Sequence, residues 1–442
     1  MNSEKPKKTF WLHVVNVMTG VGLAQAVNVG VYPILTRIYS PEDFGVLALI
    51  TSLAVPLSVT AGFGYEPAIV LPKSRGEAQS ILTVCQAFIL VSVIALFVVI
   101  EPLRNPLSDW LKASELVTLA LWFPVATAVL SLNRVYDYWL ARERLFPLMA
   151  VSKVTGASAG ALTKVGLGLV TNGASVALLI GFMACEVCKA MWVLIRTGRD
   201  VLPRRVSWKA SKDLLATYSN LPKFHLPHLL LHSLVSYVPF VVFSALFGAN
   251  MVGLFSLGMR MVLVPIELTT QSVAQVFYQR SVAEVRGGGD LAGLVAKTTG
   301  HLVLIGMGPF LLMSLSGQWL FHWIFGSQWV EAGLCAQILA PAVFFEFVST
   351  PVVLFNTLGR QKEGLIWQAQ YFILTVVALV LGALAMSETV AVVLLSLAIL
   401  VAHVRLLRVN FTLCGARWSL VLHEMESVIR RLARKAEGLF HG

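Results

Sequence analysis

The stretch "RIYSPEDFGVLAL", Arg37 to Leu49, is a polar, turn-forming knot between two long apolar runs. Tyr39 to Gly45 reads as the tight turn joining two membrane helices. Pro41 and Asp43 suit the turn, and Gly45 suits a place where backbone must approach backbone closely. A related stretch, "LFGANMVGLFSL" at Leu246–Leu257, repeats an aromatic-then-glycine pair 208 positions further on, with Phe247 and Gly253 at the six-residue spacing of Tyr39 and Gly45. Two homologous halves, each opened by the same hairpin, are the natural inference.

Composition fixes what kind of chain surrounds these hairpins. Its 442 residues are 57% hydrophobic and 13% charged, with a mean hydropathy of +0.77. A soluble domain carries about 25% charged residues, so the chain reads as a polytopic membrane protein. The net charge of +11 invites a nucleic-acid partner, but the basic residues fall between apolar runs and form no single patch, so none is expected. Five cysteines (Cys85, Cys185, Cys188, Cys335, Cys414) lie in or at the edge of apolar segments. The "CEVC" at 185–188 has no strand–helix context and no second ligand pair, so it reads as small apolar filler in a helix rather than a metal or redox site. The N-terminus, "MNSEKPKKTFWLHVV", is like a signal-peptide n-region. Its apolar run continues to Leu35, however, and an uncleaved first helix is expected.

A spanning helix needs about 20 apolar residues. Twelve segments qualify: 12–36, 44–64, 80–100, 115–133, 150–170, 175–195, 224–247, 253–277, 298–316, 333–357, 365–386 and 390–410. The N-terminus and the loops after every even-numbered span, with the span ends that adjoin them (Lys153, Arg405 and Arg408), hold 28 of the 34 Lys and Arg. The opposite loops hold only Arg37, Arg104 and Lys112. The positive side faces the cytoplasm, so both termini are expected there. The longest outer loop, "GQWLFHWIFGSQWVEAG", is expected to set its aromatics at the headgroups. The organisation read from this pattern is an N-terminal six-helix lobe over 1–200, a basic cytoplasmic connector over 201–223, a C-terminal six-helix lobe over 224–410 and a cytoplasmic tail over 411–442. In the tail, Trp418, Val421, Leu422, Met425, Ile429, Leu432 and Ala436 recur at helical spacing beside Arg430, Arg431, Arg434 and Lys435. That is the pattern of an amphipathic helix lying on the anionic inner leaflet.

These motifs carry a family resemblance. "ILTRIYSPEDFGVLAL" followed by "GYEPAIVLPKSRGEA" resembles the start of the Wzx-type oligosaccharide flippases, the polysaccharide-transporter branch of the MOP exporter superfamily. "FGANMVGLFSLGMRMVLVPIELTTQSVAQVFYQ", "IFGSQWVEAG" and "NTLGRQKE" agree in order across the second half. The resemblance implies an all-α membrane protein of about twelve helices in two lobes around a central cavity. It implies that Arg37, Tyr39, Gly45, Glu66 and Gly253 occupy family-motif positions. It also implies alternating access that carries an undecaprenyl-diphosphate-linked oligosaccharide across the bacterial inner membrane, with the lipid bilayer and other polysaccharide-assembly membrane proteins as partners.

Charge within a span marks a wet cavity or an ion pair. Helix 8 aligns Arg260, Glu267, Gln271, Gln275 and Tyr278 on one face, with Arg260 about two turns in and so in the outer half of the membrane. Helix 5 offers a close-packing Gly156-x-x-x-Gly160 and then Lys164. In helix 6, Glu186 and Lys189 are three apart and able to pair with each other. Helix 1 aligns Gln25, Asn28, Tyr32 and Thr36, suited to sugar hydroxyls or to helix–helix hydrogen bonds. Helix 7 aligns His225, His228, His232 and Ser236, a row able to relay protons or simply to sit at the interface. Glu346 in helix 10 stands alone. No H-E-x-x-H, Walker loop or G-x-S-x-G occurs, so no catalytic residue, metal or cofactor is expected. A multidrug exporter of the same superfamily remains the alternative. A polymerase or ligase would be expected to carry a larger outer loop.

Overall fold

The computed structural model describes residues 5–113, 115–204 and 208–440. Among the described residues there is no strand. Twelve long helices follow the predicted order: α1 (Lys5–Ile38), α2 (Pro41–Ala61), α3 (Arg75–Trp110), α4 (Trp122–Arg142), α5 (Phe146–Val170), α6 (Ser175–Thr197), α7 (Leu226–Phe247), α8 (Ala249–Gly287), α9 (Leu291–Phe325), α10 (Val330–Ser349), α11 (Gln361–Ala385) and α12 (Glu388–Cys414). A thirteenth, α13 (Trp418–Phe440), forms the tail, and a short helix, Trp208–Thr217, lies in the connector. Among the described residues, nine of these helices hold a stretch long and apolar enough to cross a membrane: α2, α3 and α6–α12. The chain is an all-α integral membrane protein. α4 is interrupted by Arg134 and Asp137, and α5 by Lys153 and Lys164.

By packing, the chain divides into two compact units, Met1–Leu257 with Phe321–Ala332, and Gly258–Leu320 with Gly333–Gly442. In the first unit, the turn between α1 and α2 is tighter than expected. Only Tyr39 and Ser40 lie outside the helices. Ser40 caps α2 through a capping box with Asp43, and Pro41 opens the helix. Pro41 to Gly45 are therefore the first turn of α2 rather than loop. Tyr39 is buried, and its hydroxyl donates to the carbonyl of Lys164 on α5 (2.7 Å). Burial and the nearby Asp43 push the phenol up to about 12, which keeps it a neutral donor.

Gly45 does what its position suggested. A Cβ there would collide with the Ala249 carbonyl and stand 3.2 Å from the Gly253 nitrogen. A Cβ on Gly253 would collide with the Pro41 carbonyl and stand 3.0 Å from the Gly45 nitrogen. The first turns of α2 and α8 thus meet backbone to backbone, and the two hairpins recognised in the sequence interlock through their glycines. Beside them, Trp329 Nε1 donates to the Thr36 carbonyl (3.0 Å) and Gln328 Nε2 to the same oxygen (2.7 Å). These donors satisfy a carbonyl at the end of α1 that has no partner within its own helix.

Several boundaries differ from the expectation, and two of them change how residues are placed. Helix 4 runs to Arg142 instead of ending at 133, so Arg134 belongs to the helix and not to a loop. Its polar side chains are turned to other protein groups, so the helix need not end where they begin. The aromatic "outer loop" is mostly helix as well. α9 continues through a kink at Ser316 to Phe325, leaving Gly326 and a 3-10 turn, Ser327–Trp329. Trp329 is fully buried there, whereas Trp319 and Trp323 are exposed.

In the second unit, Phe310 packs on Phe344 and Phe347, and Gly382 of α11 lies against Ala391 of α12. Gly45→Val and Gly253→Val are expected to lower the yield of folded protein. Alanine at either site should cost about 1–3 kcal/mol by overpacking. Gly30→Ala, where no atom lies within 4 Å, should leave stability unchanged or slightly raised. Melting of the purified protein in detergent checks all three.

Candidate functional site

Unit 1 gathers its charges onto α4, α5 and α6. Asn133 Nδ2 donates to Glu186 Oε2 (2.8 Å) and to the Glu186 carbonyl (3.0 Å). Lys189 Nζ donates to Glu186 Oε1 (2.6 Å). The pair expected between Glu186 and Lys189 is therefore present on α6 and is held by a second helix, α4. Asp137, one turn beyond Asn133, interacts electrostatically with Lys153 of α5, with Lys189 and Glu186 of α6, and with Arg134. The Gly156 and Gly160 spacing makes the approach of α5 to α6 possible. A Cβ on Gly156 would lie 2.6 Å from Lys189 Cγ, and one on Gly160 would lie 2.7 Å from Cys185 Cβ. Lys164 is half-buried, and its stem packs against Gly181 of α6. The charges of Lys164 and Lys189 both reach Cys185.

Arg134 extends this network towards the turn between α2 and α3. It interacts with Glu66, which opens the 3-10 helix Glu66–Val70 in that turn and is fully buried. Burial pushes the Glu66 carboxyl above its ordinary value. Its own backbone N–H and Arg134 pull the other way. The same turn is caged by Arg142, whose guanidinium donates to the carbonyls of Ile69 (3.1 Å) and Ser74 (3.0 Å). On the other side of Arg134 lie the histidines. His225 closes a π turn, Leu221–His225, ahead of α7 and interacts with Arg134 and His228, and His228 interacts with His232. The histidine row thus joins the α4–α6 charges instead of standing apart.

α1 places Gln25 and Asn28 half-buried in unit 1. Thr36 is fully buried, its hydroxyl donates to the Pro33 carbonyl (3.3 Å) and its own carbonyl receives Trp329 and Gln328. It serves packing rather than a sugar. Arg37 is exposed at the end of the helix.

In unit 2, Arg260 and Glu267 are both exposed on α8 and interact electrostatically. Because α8 starts at Ala249, Arg260 lies about 16 Å along its axis. That is three turns in from the start of the helix rather than two. The side chain of Gln271 lies outside the described residues. Glu346 is not isolated. Its Oε2 is 4.0 Å from His403 Nε2 of α12, and it interacts with Tyr371 of α11. His403 Nδ1 is 2.8 Å from the Ser349 hydroxyl, and its ring stacks edge-on against Trp367 and Tyr371. At 4.0 Å the carboxylate and the imidazole are within ion-pair range but not hydrogen-bonded.

Asn133, Arg134, Asp137 and Lys153 escaped the sequence reading. The signal was present in "LNRVYDYWLAR", where Asn133 and Asp137 are four apart and Arg134 and Asp137 three apart, each pair on one helix face. Hydropathy hides it, because charges at this point read as the end of the helix. Among the described residues no group of three His, Cys, Asp or Glu side chains is placed to hold a metal ion.

Long apolar helices whose charged groups turn to one another make a polytopic membrane protein, and known structures share the architecture. The lipid II flippase MurJ in an inward closed conformation aligns with TM-score 0.70 at 12% identity, over 94% of this chain and 90% of that one. An inward-facing multidrug resistance MATE family transporter of the MOP superfamily aligns with TM-score 0.64 at 15% identity, over 88% and 94%. A MOP superfamily transporter from Pyrococcus furiosus aligns with TM-score 0.57 at 16% identity, over 91% and 95%. No curated protein matches the sequence. The profile of the family described as polysaccharide biosynthesis protein matches residues 34–334, and the chain belongs to that family.

Breaking a buried ion pair on one side strands the other charge, at about 3–5 kcal/mol. Lys189→Met is therefore expected to reduce the monodisperse fraction on size exclusion sharply. Glu186→Gln in the same chain should restore most of it. A double variant no better than the single one would show that the pair is not the source of the loss.

Proposed function

We propose that this protein is a flippase that carries undecaprenyl-diphosphate-linked oligosaccharide repeat units from the cytoplasmic to the outer leaflet of the bacterial inner membrane. It would work by alternating access, through two six-helix halves. The observation that carries this reading is membership of a polysaccharide biosynthesis family on a fold shared with a lipid II flippase. A diphosphate needs fixed cations in its path, and Arg134, Lys153, Lys164, Lys189 and Arg260 stand within helices to supply them. Guanidinium suits the role best at Arg260, because it offers a rigid fork to phosphate oxygens and stays charged at every relevant pH. Neutral donors such as Gln25 and Asn28 suit sugar hydroxyls. Nothing in the reading asks the chain for bond-making chemistry, so we treat it as a transporter and not an enzyme. The Lys and Arg bias remains after Arg134 is assigned to α4, and it favours cytoplasmic termini.

The rival is export of cationic drugs, which the MATE likeness brings in. A drug cation wants an acid in its path, and α1 contains no Asp or Glu.

Arg260→Ala is expected to abolish polysaccharide export while the protein still reaches the membrane in normal amount. Arg260→Lys should keep part of the activity, because the charge survives but the fork does not. Surface polysaccharide and membrane abundance are measured together in cells lacking the native gene. Full export from well-folded Arg260→Ala protein would overturn the role given to this arginine.

A further inference from the structure

The transport reading leaves α13 without a task. Its apolar stripe is wider than its neighbour needs. Val421 is 1% exposed, and Met425 Cγ, the Val421 carbonyl and Glu424 Cβ close over Gly300 of α9, at 3.3, 3.4 and 3.7 Å from where a Cβ would stand. That contact uses one edge of the stripe. The adjacent edge, formed by Trp418, Leu422 and Ile429 at spacings of four and seven, is left 46%, 62% and 52% exposed. Trp418 is steered by the Phe411 ring of α12, with centroids 4.9 Å apart. Arg430, Arg431 and Arg434 are exposed on the polar face of the helix, roughly 100–160° around its axis from this edge. Arg430 pairs with Glu426, and Arg431 donates to the Ser427 hydroxyl (3.0 Å), so both guanidinium groups are held along the helix.

A helix with an open apolar edge and arginines on its polar face fits one kind of surface, a bilayer interface with anionic headgroups. Apolar side chains enter the acyl boundary and cations meet phosphates just above it. A second copy packed in parallel would set one arginine row against the other. We propose that α13 is a lipid-docking helix, held to α9 at Gly300, whose Trp418–Leu422–Ile429 edge and Arg430–Arg431–Arg434 row bind an anionic phospholipid surface. Because α13 rests on the first turns of α9, anionic lipid would steady that end of the second unit. The inference does not rest on the flippase reading, and its test does not measure transport.

The test uses hydrogen–deuterium exchange over 418–440 in the full-length protein in nanodiscs, of phosphatidylcholine alone or mixed with phosphatidylglycerol. Each arginine at an anionic surface is worth about a factor of five in affinity. Exchange should therefore slow about tenfold or more in the anionic discs, and high salt should erase the difference. The triple variant Arg430→Gln/Arg431→Gln/Arg434→Gln should remove the dependence on phosphatidylglycerol while leaving the slow exchange of α9 unchanged. Leu422→Gln/Ile429→Gln should speed exchange in both bilayers. Equal exchange of the wild type in the two bilayers would overturn the proposal, as would a lipid dependence that survives the triple variant. Protection that rises with the number of protein copies per disc would assign the face to a second copy instead.

Discussion

An ionised side chain in the middle of a bilayer costs about 2.5–3.5 kcal/mol on insertion scales, and it persists only where protein answers it. Unit 1 is arranged around that constraint. Glu186 receives Lys189 from its own helix and Asn133 from α4, and Asp137 sits among Lys153, Lys189 and Arg134. α4 can therefore stay helical through a stretch that hydropathy alone would end. Its other side buries Thr127, Ser131, Val135, Trp139 and Leu140. Unit 2 follows the same rule with fewer charges, setting Glu346 against His403 and Tyr371.

The second constraint is contact between backbones. Where Gly45 meets Gly253, and where Gly156 and Gly160 meet α6, any side chain would force helices apart. Without a hydrophobic drive between helices in lipid, close packing and interhelical hydrogen bonds must supply the association. Trp329 and Gln328 add such bonds at the end of α1, and this explains why the Phe321–Ala332 segment packs with the first unit rather than with the second, which holds the chain on either side of it.

The fold was legible because apolar runs and loop charge are strong signals in a membrane chain. The two hairpins and the close backbone approach at Gly45 were legible in the turn residues, but that the hairpins meet each other was not. The site was legible only in pieces. Glu186, Lys189, Glu66, His228 and His232 each stand out in the sequence, whereas Arg134, which reaches Glu66, Asp137 and His225, falls at a hydropathy boundary. Hydropathy treats a charge as an end, whereas a bundle can turn the same charge inward. Glu346 looked alone because its partners, Tyr371 and His403, lie 25 and 57 positions away on other helices. A one-dimensional reading has no means of placing them beside it.

The cargo decides between the two readings: the family is one of polysaccharide biosynthesis, and the fold is shared by a lipid II flippase and by multidrug transporters alike. The direct measurement is leaflet transfer in proteoliposomes holding only this protein, with a fluorescent undecaprenyl-diphosphate oligosaccharide whose outward exposure is read by a membrane-impermeant quencher. The account predicts transfer that requires the protein, is lost without the diphosphate and is lost in Arg260→Ala. Transfer no faster than in empty liposomes, from protein that in the same vesicles moves a cationic dye, would contradict it.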